Sequence, residues 1–301
     1  MSGPLVLKLG GELLESPADR ARIAAMISGL TAQRPVVLVH GGGRAVDAEL
    51  TRRGIAPKKV DGLRVTDRAT LDAVVAVLAG MANTELVAVL VGQGVPAIGL
   101  TGVDAGLSRA DRSSAHRTAS GAIVDLGFVG DPAEVDVSLV ELLLVHGYVP
   151  VIASLGLESP ASGAAAGTEP ALLNVNADVM ACRIAAALNG AELVIAGATA
   201  GVLDADGMSI PSLDAVGIDA AIESGTATAG MIAKLSACRA ALLEGVAMIR
   251  IVDGRTFGPA DGIDVAPGTT LSLRTDAAGG LQASGRSAGL KPGGYVSKES
   301  A

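Results

Sequence analysis

The chain has 301 residues, half of them hydrophobic, with aromatic residues at 1%, no Trp and a formal net charge of −8. That length buries a sizeable core, in one large α/β domain or two lobes, packed from Val, Leu, Ile and Ala. The acidic balance excludes a nucleic-acid partner, which would need a basic face to displace counterions.

The chain opens on LVLKL, a strand whose short apolar run is interrupted by Lys8 and followed by no small-residue cleavage site. It is therefore not a signal peptide. A helix near Pro17 to Leu30, the strand PVVLV and a helix from about Arg44 to Arg53 follow. A long helix begins after Asp67, with Thr66 or Asp67 as its N-cap. The apolar region from Val74 to Leu100 is broken by Asn83, Glu85 and Gln93, so no membrane span is expected. The expectation is a soluble, cytoplasmic protein. VPAIGL, GAIVDLGFV and YVPVIASL read as strands, with a helix near Val135 to His146 between the last two. Then come a helix near Ala177 to Leu188, the strand ELVIAG and a helix near Met231 to Glu244. AMIRIVDG reads as the last core strand and TTLSL as a short edge strand.

This alternation predicts an α/β fold with a largely parallel sheet covered on both faces. Ligands of such sheets sit beyond the carboxyl ends of the strands. Ser159 to Pro170 reads as a flexible loop or hairpin tip, and the Gly-, Ser- and Ala-rich stretch from about Thr275 as a disordered tail. Cys182 and Cys238 lie in helix-like apolar segments and read as reduced core thiols. His40, His116 and His146 show no metal-ligand spacing.

Two strands run into glycine clusters, LKLGGELL and VLVHGGGRAV. Glycines there let backbone N–H groups turn toward an anion with a helix N-terminus behind them. The ordinary alternative is a tight strand–helix turn. G-x-x-x-x-G-K-[ST] is absent, and Gly41, Gly43 and Val46 make a poor dinucleotide fingerprint. Lys8 favours the anion, because an ammonium at the end of an interior strand is costly to desolvate unpaired. Arg64 stands in a Gly-containing loop where a guanidinium can clamp a carboxylate; the alternative is a solvated arginine. Asn174, Asn176 and Asp178 alternate ahead of a helix, and N-capping explains one of the three. Lys234 lies early in a helix behind Gly230, where an exposed lysine would be the ordinary reading.

Lys8-Leu9-Gly10-Gly11, His40-Gly41-Gly42-Gly43, the DGLRVT run from Asp61 to Thr66, Asn174-Val175-Asn176-Ala177-Asp178 and Gly230-Met231-x-x-Lys234 occur together and in order. In this the chain resembles the amino acid kinase family, from about Leu5 to Leu273. The DGLRVT and NVNAD stretches are most similar to its acetylglutamate-phosphorylating branch. The resemblance implies a three-layer αβα sandwich over residues 1–274, with an acyl-substrate lobe of about 1–170 and a nucleotide lobe of about 171–274. It implies ATP-dependent phosphorylation of the side-chain carboxylate of N-acetyl-L-glutamate, in arginine biosynthesis. Lys8 and Lys234 would flank the transferred phosphoryl group, and Asp178 would hold both. Gly42, Gly43, Arg64, Asn174 and Asn176 would bind the acyl substrate. Gly10, Gly11, Ala198, Thr199, Gly201, Val202, Leu203 and Thr228 would border the nucleotide. Mg²⁺ would be carried by ATP, with no separate protein metal site.

The chain departs from the family in one loop, where a T/S-D-V-x-G pattern is replaced by AGATAGVL. Gly197 and Ala198 stand where a polar residue and Asp are usual, and Gly201 remains. Ala229 replaces the usual glycine or aspartate before Gly230. Two alternatives stay open: an aminoadipate-type carboxylate kinase, and a non-catalytic ligand-binding member of the fold. Arginine-inhibited relatives carry an N-terminal helix that links dimers into hexamers, and Met1 to Pro4 cannot form a helical turn. The expectation is a homodimer that does not respond to arginine. Its contact would be the helix after Asp67, through Leu71, Val74, Val75, Val77 and Leu78.

Overall fold

The computed structural model describes residues 3–113, 115–118, 121–160, 170–224, 229–257, 263 and 266–273. Thr228, the middle of the Ser159–Pro170 loop and the tail from 275 onward lie outside these residues.

β1 (Leu5–Leu9) and β2 (Val36–His40) are continuous apolar runs, as befits parallel strands covered on both faces. Between them α1 (Pro17–Thr31) starts with Pro17 in its first turn and Ser16 as N-cap, its hydroxyl accepting the Asp19 N–H at 3.0 Å. α2 (Gly43–Arg52) leaves β2 at the glycine cluster, and β3 (Lys59–Val60) and β4 (Leu63–Arg64) form a short hairpin. Asp67 caps the next helix by accepting the Thr70 N–H at 2.8 Å. That helix runs as α3 (Arg68–Val75), a π-helical stretch (Ala76–Ala82) and α4 (Asn83–Gly92).

β5 (Ala97–Thr101), β6 (Ser108–Arg112), β7 (His116–Arg117), β8 (Ile123–Val124) and β9 (Val129–Val135) follow. After α5 (Ser138–Val145) come β10 (Val149–Ala153), β11 (Leu155–Glu158), β12 (Leu172–Val175) and α6 (Ala177–Ala187). β13 (Glu192–Gly197), β14 (Ser212–Leu213), α7 (Ala215–Glu223), α8 (Ala229–Leu243), β15 (Ile249–Asp253) and β16 (Gly268–Leu271) complete the order.

Eight strands form one sheet in the order β14-β16-β15-β13-β1-β2-β10-β5, parallel throughout except where β15 meets β16. β6, β9, β11 and β12 pair in a small closed ring beside it. β1 lies where the chain's strand order reverses, with β2 on one side and β13 on the other. Its side chains alternate by the two-residue period of a strand. Leu5, Leu7 and Leu9 enter a core with residues of α1 and α4, whereas Val6 enters a core with residues of α6 and α8. The result is a three-layer αβα sandwich. Period two then puts Lys8 on the α6/α8 face.

Several elements differ from the sequence-based expectation. The helix expected from Val135 begins at Ser138, because Val135 still pairs with Ser108 as the end of β9. GAIVDLGFV divides into β8 and the start of β9 around Gly127, whose φ of 75° makes the turn. TTLSL is not an edge: β16 lies between β15 and the two-residue β14.

The helix Arg68–Gly92 is, by length and composition, apolar enough to cross a membrane. In the fold Val74, Val77 and Leu78 pack with Val46 and Leu50 of α2, and Leu86 and Leu90 pack against the α1 side of the sheet. The π-helical stretch connects these two packing directions, since one extra residue turns the following face by roughly 100°. Leu71, Val74, Val77 and Leu78 are thus buried within the monomer and leave no surface for a dimer contact, whereas Val75 is half-buried beside them.

Candidate active site

Lys8 and Lys234 meet on Asp178, one on each carboxylate oxygen. Lys8 Nζ is 2.8 Å from Oδ1 and Lys234 Nζ donates to Oδ2 at 2.8 Å. The three side chains are 11%, 15% and 14% exposed, so the triad is shielded but not sealed from solvent. Three elements supply it: the end of β1, the first turn of α6 and the first half of α8. Burial alone would raise the Asp178 pKa, but the two ammonium groups outweigh it and hold the carboxyl far below its usual range. Burial pulls Lys234 down, and Asp178 more than offsets this and raises it. Two lysines on one carboxylate leave positive charge in excess beside the carboxyl end of β1, where an open α/β sheet binds ligands.

The glycines are needed where two loops touch. A Cβ on Gly11 would lie 2.9 Å from the Gly42 Cα, and one on Gly42 would lie 2.8 Å from a Leu78 methyl. Gly42 is the N-cap of α2, so unpaired N–H groups of that helix face outward beside it. The Gly10 amide is not one of the available donors, because it gives its N–H to the Ala196 carbonyl at 2.8 Å.

Gly42, Gly43, Arg64, Asn174 and Asn176 all line one cavity of about 590 Å³. Arg64 is buried at its wall, its Nη1 2.5 Å from Asp47 and its Nη2 donating to the Gly43 carbonyl at 2.9 Å. Asn174 donates to the Thr66 hydroxyl at 3.2 Å. Asn176 caps α6, its Oδ1 accepting the Asp178 N–H at 2.8 Å, and so holds the aspartate in place.

The loop from Gly197 to Leu203 is fixed from behind. Gly201 has φ 93°, and a Cβ there would fall 2.4 Å from the Thr269 hydroxyl. That hydroxyl accepts the Val202 N–H at 2.8 Å and donates to the Ile210 carbonyl at 2.7 Å. Val202 is fully buried and Leu203 is exposed. The Ala198 N–H is occupied by a side chain the sequence did not single out, Glu12, at 3.1 Å.

Other contacts escaped sequence reasoning. His40 is wholly buried, and burial lowers its pKa, so it is neutral. Its Nδ1–H donates to the Gly41 carbonyl (3.1 Å) and its Nε2 accepts from Asn83 (3.0 Å), which also donates to the Val151 carbonyl (2.9 Å). His116 Nε2 lies 2.9 Å from Asp61, joining the β7–β8 hairpin to the DGLRVT loop across the cavity mouth. The hint for His40 was an imidazole ending a buried strand. The His116 contact spans 55 residues and left no local signal. Among the described residues no group of three or more His, Cys, Asp or Glu side chains is placed to hold a metal ion.

The sequence profile of the amino acid kinase family matches residues 3–253. An acetylglutamate kinase of Symbiobacterium thermophilum is 41% identical over 256 residues, covering 83% of this chain and 84% of its own. One from Methanopyrus kandleri is 41% identical over 243 residues, covering 80% and 91%. Among solved structures, N-acetylglutamate synthase from Neisseria gonorrhoeae, complexed with coenzyme A and N-acetyl-glutamate, aligns with a TM-score of 0.73 at 23% identity. The alignment covers 91% of this chain but only 60% of that longer one, and it speaks for the fold alone. With a family profile spanning seven of the eight strands of the sheet, the glycine loops and the lysine–aspartate triad, the chain belongs to the amino acid kinase family.

Proposed function

We propose that the protein transfers the γ-phosphoryl group of ATP to the side-chain carboxylate of N-acetyl-L-glutamate, giving an acyl phosphate for arginine biosynthesis. The observation that carries this reading is the Lys8–Asp178–Lys234 triad beside a cavity whose wall holds Arg64 and Asn174. The likeness to acetylglutamate kinases over four-fifths of the chain favours that substrate.

A carboxylate nucleophile is ionised at pH 7 and needs no general base. The barrier is electrostatic, an anion approaching a polyanion, and catalysis consists of positioning plus fixed positive charge. The acyl substrate would occupy the cavity that the 1–170 lobe lines together with Asn174 to Ala177, with Gly42 and Gly43 presenting N–H groups and Arg64 and Asn174 holding the α-carboxylate. The nucleotide would lie on the 171–274 lobe along Gly197–Leu203, with Lys8 and Lys234 on the transferred group. Mg²⁺ would supply charge neutralisation over the phosphates.

An ATP-dependent hydroxamate assay run in parallel on acetylglutamate, glutamate, aspartate and acetylaminoadipate tests the assignment. Acetylglutamate is expected to give the highest kcat/KM. Preference for acetylaminoadipate would move the protein to the other carboxylate branch, and no product from any acceptor would favour a non-catalytic role.

Arg64→Ala is expected to raise KM for the acylated amino acid by about tenfold or more while sparing KM for ATP. A change confined to the ATP KM would remove Arg64 from substrate binding. The assembly we propose is a homodimer through the outer face of the long helix, where Met81 and Val91 stay exposed. Light scattering at micromolar concentration is expected to give twice the chain mass, and a monomer would overturn it.

A further inference from the structure

Glu12 lies in the 3₁₀ turn Gly11–Leu13 directly after β1, half-buried, with Oε1 on the Ala198 N–H at 3.1 Å. Its Oε2 makes no hydrogen bond to a described residue. A Cβ on Gly10 would fall within 2.6 Å of both carboxylate oxygens, and one on Gly197 would lie 3.2 Å from Oε1. The carboxylate is therefore seated in a slot between the ends of β1 and β13, and two glycines keep that slot open. Its charge reaches Lys234 and Arg255 through space.

This is an unusual place for an anion. It covers a main-chain donor of the Gly197–Leu203 loop, beside the lysine triad, in the crevice where a polyphosphate would lie. Carboxylate and phosphate repel at this range unless a divalent cation stands between them. The loop Gly197–Leu203 carries no carboxylate of its own, and position 198 is Ala. The only charge set against its Ala198 N–H among the described residues is that of Glu12, from the turn after β1.

We propose that Glu12 is this protein's ligand, directly or through a water, to the divalent cation that accompanies the nucleotide, supplying the carboxylate that the Gly197–Leu203 loop does not. The proposal rests on the kinase reading above.

The test is calorimetric titration of the full chain with a non-hydrolysable ATP analogue, in Mn²⁺ and in EDTA, with paramagnetic resonance counting bound Mn²⁺. Wild-type protein is expected to bind the Mn²⁺ complex about tenfold or more tighter than the metal-free analogue. Glu12→Gln keeps an oxygen for the Ala198 N–H and loses only the charge. It is expected to shrink that ratio to about threefold or less, mainly by weakening the Mn²⁺ complex, with metal-free binding equal or tighter. Glu12→Ala combined with Ala198→Asp is expected to regain the ratio.

A Glu12→Gln variant that keeps the wild-type ratio, or weakens both forms by one common factor, would overturn the role. A double variant that regains nothing would overturn Glu12 as the stand-in for a carboxylate on that loop. No binding by wild type in either condition would bring down the kinase reading itself, an outcome distinct from wild-type binding whose metal dependence survives Glu12→Gln.

Discussion

Lys8→Ala is expected to lower turnover by roughly 100-fold or more, with much smaller changes in the KM of either substrate. The ammonium stands at the end of a buried strand and is held 2.8 Å from Asp178, so its position costs no reorganisation during transfer. A charge fixed before the reaction acts on the transition state, where negative charge spreads over the moving group. Lys8→Arg should not restore the rate, because a planar guanidinium does not fit a site shaped for a compact ammonium. Near-wild-type turnover in Lys8→Ala would remove the lysine from the chemistry.

Asp178→Asn should damage both rate and stability. It leaves two ammonium groups, 11% and 15% exposed, without the carboxylate they share. Removing one partner from such a buried network costs about 3–5 kcal/mol. Turnover should fall by about 100-fold or more, since neither lysine keeps its anchor.

The pH dependence has a definite sign. The Asp178 pKa is depressed in the folded protein, so its contribution is fully present above the unfolded carboxyl value of about 3.9. It is lost as pH falls through the lower, folded value. Lys234 is raised, so its contribution is full below about 10.4 and is lost as pH rises through its higher folded value. Urea melts of Asp178→Asn should therefore show a lower midpoint at pH 7 and a flatter profile in strong acid than wild type. Equal midpoints at pH 7 would mean that the triad does not stabilise the fold.

The parts of the fold legible in the sequence were those with local causes. β1, β2 and β13 announced themselves as apolar runs, and Asp67 as a cap, because burial on both faces and an orphaned helical N–H each act within a few residues. The lysines and Asp178 were legible as chemistry out of place: charges set beside apolar segments and glycine turns. What stayed hidden depends on distant partners. Nothing near Glu12 shows that it faces Ala198, 186 residues away, and Asn83 reads as a break in an apolar helix until His40 is seen beside it. Asn176 was expected on the substrate; it lines the cavity, and its side-chain oxygen also caps α6, a second role that local pattern gave as the ordinary one. β16 read as an edge because β14, only two residues long, carries too little pattern to notice.

The triad gathers residues 8, 178 and 234, and β1 sits between strands that begin at residues 36 and 192. A chain emerging from the ribosome thus holds its first strand half-paired until β13 has been made, and the charges remain apart until α8 docks. Pairing across such separations is slow, and the exposed strand is a hazard for aggregation in the meantime. Activity should consequently be the last property to appear on refolding, lagging behind the recovery of helical circular dichroism.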